Sequence, residues 1–139
     1  MSIDLNAYDL ANNQQMEVAV CGPDGASHLI LCTGIAHLHR HGRETYIFPV
    51  GPQLSRRQLV VVIASGALAQ VQKMEEGPAE GKAQANLDAG LLSITAGYDE
   101  SAGRVTASVE AFLGEGLKEA SISYQVSILA ELPANLRTK

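Results

Sequence analysis

Three segments in the C-terminal third of this chain alternate strictly between apolar and polar residues, and this period of two constrains the fold more than any other feature. Their apolar positions are Leu92, Ile94 and Ala96, then Val105, Ala107, Val109 and Ala111, then Ile122, Tyr124, Val126 and Ile128. The positions between them are mostly Ser and Thr. Because successive side chains of a strand point to opposite faces, the pattern predicts half-buried strands of an antiparallel sheet.

Four further candidate strands precede these segments, separated by turn-forming residues. They cover residues 16–21, 28–39, 44–50 and 58–64. The second is apolar on both faces for most of its length, which predicts a central strand covered on both sides, with Gly34 marking a bulge. Pro49 places the third at a sheet edge or a strand end, because proline cannot donate a ladder hydrogen bond.

The segment 58–74 allows two interpretations. Residues 60–63 read Val-Val-Val-Ile, and such a β-branched run disfavours a helix. Ser55 could instead cap a helix that runs to Glu76. We favour the strand and keep the helix as the alternative.

The domain organisation follows from these segments. Residues 1–15 lack a period and are predicted to form an N-terminal arm, while residues 16–139 form a single β domain with a long loop at 75–88. A chain of 139 residues can bury about 68% of its unfolded surface, so its core needs neither disulfide nor metal. Seven or eight strands with turns between them predict an all-β fold, an antiparallel β-sandwich, with a small β-barrel as the alternative.

Cys21 and Cys32 flank a predicted hairpin. If Cys21 pairs with His28 across the loop, Cys32 falls opposite Glu17, so the two thiols do not face each other. We therefore expect two free, mostly buried thiols in a reducing compartment. The N-terminal residues also lack the basic start and apolar run of a secretory signal, so the expected location is cytoplasmic.

The charge, hydropathy and aromatic content of the chain argue against several classes of partner. The net charge is −5, from 10 basic and 15 acidic residues, so a nucleic-acid backbone would be repelled. The most apolar run, residues 59–64, is too short to span a membrane. Aromatic residues make up only 4% of the chain, without Trp, which disfavours a sugar-binding platform of stacked rings.

The sequence His-Leu-His-Arg-His brings His37, His39 and His41 together. In an extended strand these three imidazoles lie on one face, and successive imidazoles are about 6.5–7 Å apart along the strand. Neutral imidazole is a good ligand for divalent transition metals, and Glu44 or His28 could supply a third ligand. The competing interpretation is a strand end that runs into solvent. Because histidine changes charge between about pH 5 and 8, a pH-dependent contact is a further alternative.

The pattern His37-x-His39-x4-Glu44-x6-Gly51 resembles the first motif of the cupin family of small β-barrels. The resemblance implies that His37, His39 and Glu44 are metal ligands, and that Gly51 forms the following turn. Two departures are visible. Leu31 stands where the motif has Gly, and no His follows His41 to match the second motif.

Other catalytic patterns find little support. The chain has no Gly-x-Ser-x-Gly elbow and no phosphate-binding Gly-rich loop. Cys32 lies within an apolar strand, where a thiol is usually unreactive and only packs against its neighbours. Catalysis by a Cys–His pair would require this thiol to be reactive.

We therefore predict a soluble, non-catalytic β-sandwich that binds a protein or small-molecule partner or assembles with itself. The flat, weakly charged Ser/Thr face of the last strands favours a homo-oligomer, because such faces tend to be covered. The alternative function is a cupin-like metal-binding protein or metalloenzyme that uses a divalent transition metal at His37, His39 and Glu44.

Overall fold

A computed structural model of the chain describes residues 2–20, 27–74 and 86–131, which form eight β-strands in two packed sheets. The strands are β1 (Ser2–Asp4), β2 (Leu10–Val20), β3 (Ser27–Leu38), β4 (Gly42–Val50), β5 (Leu59–Lys73), β6 (Ala89–Asp99), β7 (Arg104–Leu113) and β8 (Leu117–Glu131). The predicted all-β sandwich is confirmed. The barrel alternative is wrong, because these strands form two separate sheets without closing into a barrel.

The first sheet has the strand order β1-β4-β7-β6, and the second has the order β2-β3-β8-β5. Neighbouring strands are antiparallel except β1, which runs parallel to β4. The chain crosses between the sheets after β1, β3, β4, β5 and β7. Strands that are distant in sequence therefore become neighbours, and β3 pairs with β8 along its whole length.

One hydrophobic core lies between the sheets and draws on both of them. It is formed by the even-numbered residues of β3, β4 and β8 and by the odd-numbered residues of β7. Tyr46 and Phe48 are its largest fully buried side chains. The Phe48 and Tyr124 rings join the two sheets, with their centroids 4.9 Å apart. The period of two in the sequence thus separates core from surface as predicted in β7 and β8. In β6 the predicted inward residue Leu92 is 50% exposed, next to a register shift between Leu91 and Ser93.

Residues 1–15 hold more structure than the predicted arm. They contain β1 and the first half of β2. β1 has only three residues, which pair in parallel with Thr45, Tyr46 and Ile47. A strand this short is not recognisable from a hydrophobic period in the sequence. β2 is an edge strand exposed from residue 12 onward, with an irregularity between Ala11 and Gln14. Residues 12–15 are all polar and exposed, so this part of β2 carries no hydrophobic period, whereas the part from Met16 onward coincides with the predicted strand at 16–21.

The segment after Ser55 is a strand, as favoured from its β-branched run. A single turn of 3₁₀ helix at Arg56–Gln58 comes first, where the Ser55 backbone N–H donates to the Gln58 side-chain oxygen over 2.8 Å. β5 then pairs with β8 from Leu59 to Lys73. Most of the predicted loop at 75–88 lies outside the described residues, and residues 86–88 are irregular.

One local prediction about β3 is confirmed and one differs from the structure. Gly34 marks a bulge as predicted: Ala11 pairs with Ile35 and Gln14 with Thr33, so two residues of β2 oppose Gly34, while its pairing with Tyr124 on the β8 side is regular. Cys32 lies opposite Gln15 and not Glu17, because the hairpin register is shifted by two residues. Cys32 is free and buried as expected, whereas Cys21 lies outside the described residues.

The shortness of β1 leaves one side of the sandwich open. β1 pairs with β4 only as far as Ile47, so no strand in the described part of the chain pairs with Pro49 and Val50 on that side. The position of Pro49 at a partly free edge agrees with the prediction. In the part of the chain that the structure describes, no helix is long and apolar enough to cross a membrane.

Candidate functional site: the outer face of the second sheet

Apolar side chains from all four strands of the second sheet line up on its outer face. In one row Val18 of β2 lies beside Leu29 of β3, followed by Leu129 of β8 and Val61 of β5. The next row contains Met16, Leu31, Ser127 and Ile63. We call the seven apolar residues of these two rows the apolar patch: Met16, Val18, Leu29, Leu31, Val61, Ile63 and Leu129.

The apolar patch is open to solvent. Ile63 exposes 63% of its surface and Met16 exposes 59%, while Leu29, Leu31 and Leu129 are half-buried. Large contiguous apolar patches are rare on monomeric proteins and generally mark interaction surfaces. The sequence predicted that β3 is covered on both faces, but in the single chain only its inner face is covered.

The outer face of the first sheet is mostly polar, unlike that of the second sheet. Its central rows read Thr45, Glu110 and Ser93, then Ile47, Ser108 and Thr95. Arg43 adds an ion pair there, with its Nε 2.6 Å from the Glu110 Oε2. The apolar patch is therefore a property of one sheet and not of the sandwich as a whole.

A shallow depression of about 540 Å³ adjoins the apolar patch near the centre of the face. It is lined by Gln14, Gln15, Met16, Leu31, Thr33 and Gln125. All of these side chains are uncharged, so the centre of the face combines amide and hydroxyl groups with an apolar border. Such a surface can form hydrogen bonds without first separating charged groups from water.

The histidines lie at the other end of the same face. The His37 Nδ1 is 2.9 Å from the Ser121 Oγ and 3.0 Å from the Glu119 Oε2. The His39 imidazole lies between two carboxylates, 3.7 Å from Glu119 and 3.5 Å from Asp9. We call these four residues, His37, His39, Glu119 and Asp9, the histidine–carboxylate cluster. It provides two imidazoles and two carboxylates at the border of the face.

The predicted ligand Glu44 does not join this cluster. Its register in β4 places it on the same side as Tyr46 and Phe48, facing inward from the first sheet, whereas His37 points outward from the second. Among residues 2–20, 27–74 and 86–131, no group of three His, Cys, Asp or Glu side chains is arranged to hold a metal ion. The metal site at His37, His39 and Glu44 thus stays a prediction without a supporting contact.

The other two histidines have separate environments. The His41 Nε2 is 2.8 Å from the Leu117 carbonyl oxygen, away from the cluster. His28 lies on the inner side of β3, with its Nδ1 3.8 Å from the Glu17 carboxylate. Its buried Nε2 has no hydrogen-bond partner among the described residues. The alternation of strand side chains explains the position of His28, because even-numbered residues of β3 point to the opposite face from His37.

Cys32 lacks the features of a nucleophile. Its side chain faces the core, where burial raises the pKa of the thiol and the Arg104 guanidinium offsets that shift only in part. A raised pKa keeps the thiol protonated at neutral pH, whereas a reactive cysteine needs the thiolate.

Sequence reasoning did not identify Glu119 and Asp9. Glu119 reaches His37 only through the pairing of β3 with β8, and Asp9 precedes β2 in a turn where its backbone oxygen accepts the His37 N–H over 2.7 Å. No local pattern links these positions to the histidines. A search for carboxylates at outward positions of the alternating segment 121–128 and its flanks would have suggested Glu119.

Comparison with known proteins gives no match: no protein family, no curated protein and no solved structure corresponds to this chain. The apolar patch and the histidine–carboxylate cluster are therefore the observations from which we infer a function.

Proposed function

We propose that this protein is a non-catalytic self-assembling protein, and that the outer face of its second sheet binds the same face of a second copy. The observation that carries the proposal is the apolar patch, which extends across all four strands of that sheet. Burial of apolar surface is the main favourable term in most protein associations. A second copy would cover the outer side of β3, as its apolar sequence predicts.

The size of the face supports this partner. β3 has 12 residues, so four paired strands of that length measure about 40 Å by about 19 Å, on the order of 750 Å². A standard stable interface buries about 800 Å² on each partner. Two copies packed face to face would thus bury enough surface for a specific dimer, and packed sheets are a common arrangement in proteins.

The distribution of charge also supports it. The chain carries a net charge of −5, which would oppose the approach of two copies if it lay on this face. Of the strand residues that the structure describes as pointing outward from the second sheet, only Glu119 and Glu131 are acidic. Both lie toward the ends of β8, outside the apolar rows. Two such faces can therefore meet without placing opposed carboxylates at their centre.

Pairing through the sheet edges is less favourable. The outer strand β5 has register shifts between Leu59 and Val61, between Leu68 and Gln70, and between Gln72 and Lys73. The other outer strand, β2, has one between Ala11 and Gln14. Bulges twist an edge strand and interrupt its free hydrogen-bonding groups, which discourages the addition of another strand.

Sedimentation velocity over a range of protein concentrations tests the proposal. We expect the wild type to be a dimer and Ile63→Glu to be a monomer, because the new carboxylate would be desolvated within the interface. Position 63 is exposed in the single chain, so the substitution should leave the fold intact. Thr95→Glu is the matched control, since it adds the same charge to an exposed position on the first sheet.

A wild type that stays monomeric at about 100 μM, a concentration at which a nanomolar to micromolar dimer is fully formed, would contradict self-assembly. A dimer that Ile63→Glu leaves unchanged would show that a different surface forms it. Circular dichroism of the three proteins confirms that each retains its β structure.

A further inference from the structure

A second concave site lies on the open side of the sandwich, and it shares Gln14, Gln15 and Thr33 with the depression beside the apolar patch. It is a cavity of about 180 Å³ between β2 and the end of β4. Six residues define its chemistry: Asn13, Gln15, Cys32, Gly51, Arg104 and Tyr124. β1 ends at Asp4, opposite Ile47, and within residues 2–20, 27–74 and 86–131 no strand fills the space beside Pro49 and Val50.

Among the described residues, Arg104 is the one charged residue that lines this cavity. Its Nε donates to the Gly51 carbonyl oxygen over 2.9 Å, which fixes the plane of the guanidinium. A guanidinium has five N–H donors, so four remain on the terminal nitrogens. No carboxylate within the described parts of the chain lies within ion-pair distance of Arg104. By contrast, the exposed Arg43 and Arg56 each pair with a glutamate.

Further polar groups of the cavity are held in place by the fold. The Tyr124 hydroxyl donates to the Asn13 Oδ1 over 2.9 Å. Because that oxygen accepts this bond, the Asn13 amide nitrogen remains as a donor. Leu10 and Val50 form an apolar part of the wall. The site therefore offers a cation and an amide donor beside an apolar surface.

We propose that this cavity binds a small organic anion of the short-chain monocarboxylate class, with its carboxylate on the Arg104 guanidinium and its alkyl chain against Leu10 and Val50. Arginine pairs with carboxylates through two parallel hydrogen bonds, which gives both strength and geometry. A volume of 180 Å³ is sufficient for a short-chain acid, since a water molecule occupies about 30 Å³ in the liquid. The proposal does not rest on the proposed self-assembly, because Arg104, Leu10 and Val50 lie outside the apolar patch.

Calorimetric titration with sodium butyrate tests the proposal, with butan-1-ol as the uncharged molecule of similar size. We expect butyrate to bind the wild type and butan-1-ol not to bind. Arg104→Gln should weaken butyrate binding at least tenfold, because it removes the charge that pairs with the carboxylate. Arg43→Gln is the matched control and should bind as the wild type does, since Arg43 lies on the outer face of the first sheet.

Binding that persists in Arg104→Gln, or its absence at 50 mM butyrate in the wild type, would overturn the proposal. A second measurement uses the wild type alone, so its result does not depend on whether the variant folds. Cys32 lines the cavity, so bound butyrate should slow alkylation of its thiol by iodoacetamide at least threefold, followed by peptide mass spectrometry. Equal alkylation rates with butyrate and butan-1-ol would also overturn it, and equal protection by phosphate would overturn the assignment to carboxylates.

Discussion

The Tyr124 hydroxyl lies directly over Gly34, where a side chain at position 34 would begin. A Cβ added to Gly34 would be 2.5 Å from this hydroxyl oxygen and 2.6 Å from the Asn13 Oδ1. The absence of a side chain on β3 therefore lets a hydrogen bond pass over it, from Tyr124 of β8 to Asn13 of β2. This bond joins the irregular edge strand to the strand that lies in the middle of the sheet.

Gly34→Ala should destabilise the protein by about 1–3 kcal/mol, the usual cost of overpacking a site. Tyr124 is 5% exposed, so its ring has little room to move away from the new methyl group. Urea unfolding of both proteins measures the difference. Gly97→Ala is the matched control, because a Cβ there meets nothing within 4 Å, and its effect should stay within about 1 kcal/mol of zero. Equal stabilities for the two variants would contradict the close contact.

Gly51→Ala should cost more than Gly42→Ala, although both glycines have positive φ. The φ angles are +79° for Gly51 and +94° for Gly42, and a side chain in this region costs about 1–2 kcal/mol. Only at Gly51 would the added Cβ also contact a core side chain, 2.8 Å from the Ile128 Cδ1. Thermal unfolding of the two variants separates the destabilisation caused by the contact with Ile128 from that caused by the positive φ angle. A smaller loss for Gly51→Ala than for Gly42→Ala would refute this account.

The free energy of unfolding should fall as the pH rises above about 9. Burial raises the pKa values of Cys32, Tyr46 and Tyr124 above their ordinary values of 9.0, 10.0 and 10.0. The folded state therefore keeps these protons at a pH where the unfolded chain releases them. Their contribution is complete below the ordinary values and is lost as the pH approaches the raised ones.

Urea midpoints measured between pH 7.5 and 10.5 test this dependence. Cys32→Ala should flatten the first part of the decline, because it removes the group that titrates earliest. The readout is the slope with pH, so a loss of packing at position 32 does not obscure it. A midpoint that stays constant over this range would be inconsistent with the three raised pKa values.

Glu119→Gln should lower the stability by less than about 1 kcal/mol, because exposed ion pairs contribute little. The side chains of His37 and Glu119 are 28% and 24% exposed, so solvent screens the cluster in part. Chemical denaturation at pH 6, in low salt and in 1 M NaCl, should show the difference shrinking with salt. Glu110→Gln, which disrupts the more exposed pair with Arg43, serves as the comparison. A loss of several kcal/mol would mean that the cluster is effectively buried.

The sequence predicts those strands that have one buried face. Val105 to Ala111 and Ile122 to Ile128 alternate because their even and odd positions meet core and surface in turn. β1 and the first half of β2 escape prediction, because three residues are too few for a period and residues 12–15 are exposed on both faces. The predicted strand at 16–21 matches the second half of β2 up to Val20. Local patterns record burial, and these strands have little of it.

The candidate site was predictable only in its parts. The shared face of His37 and His39 follows from their spacing, but Glu119 approaches them through the register of β3 with β8. The apolar patch likewise combines residues such as Val18, Leu129 and Ile63 from strands that are far apart in the sequence. Strand order is set by tertiary packing, and no single segment of the chain encodes it.

The central position of β8 has a consequence for how the chain folds. β8 comes after the seven other strands in the sequence, yet it lies between β3 and β5, and Ser27 pairs with Glu131. Until β8 has left the ribosome, the β2–β3 hairpin and β5 have no partner that joins them. Contacts between such distant residues make folding slow, and unpaired strands expose apolar edges meanwhile. Chaperone binding during synthesis should therefore be greatest just before β8 emerges.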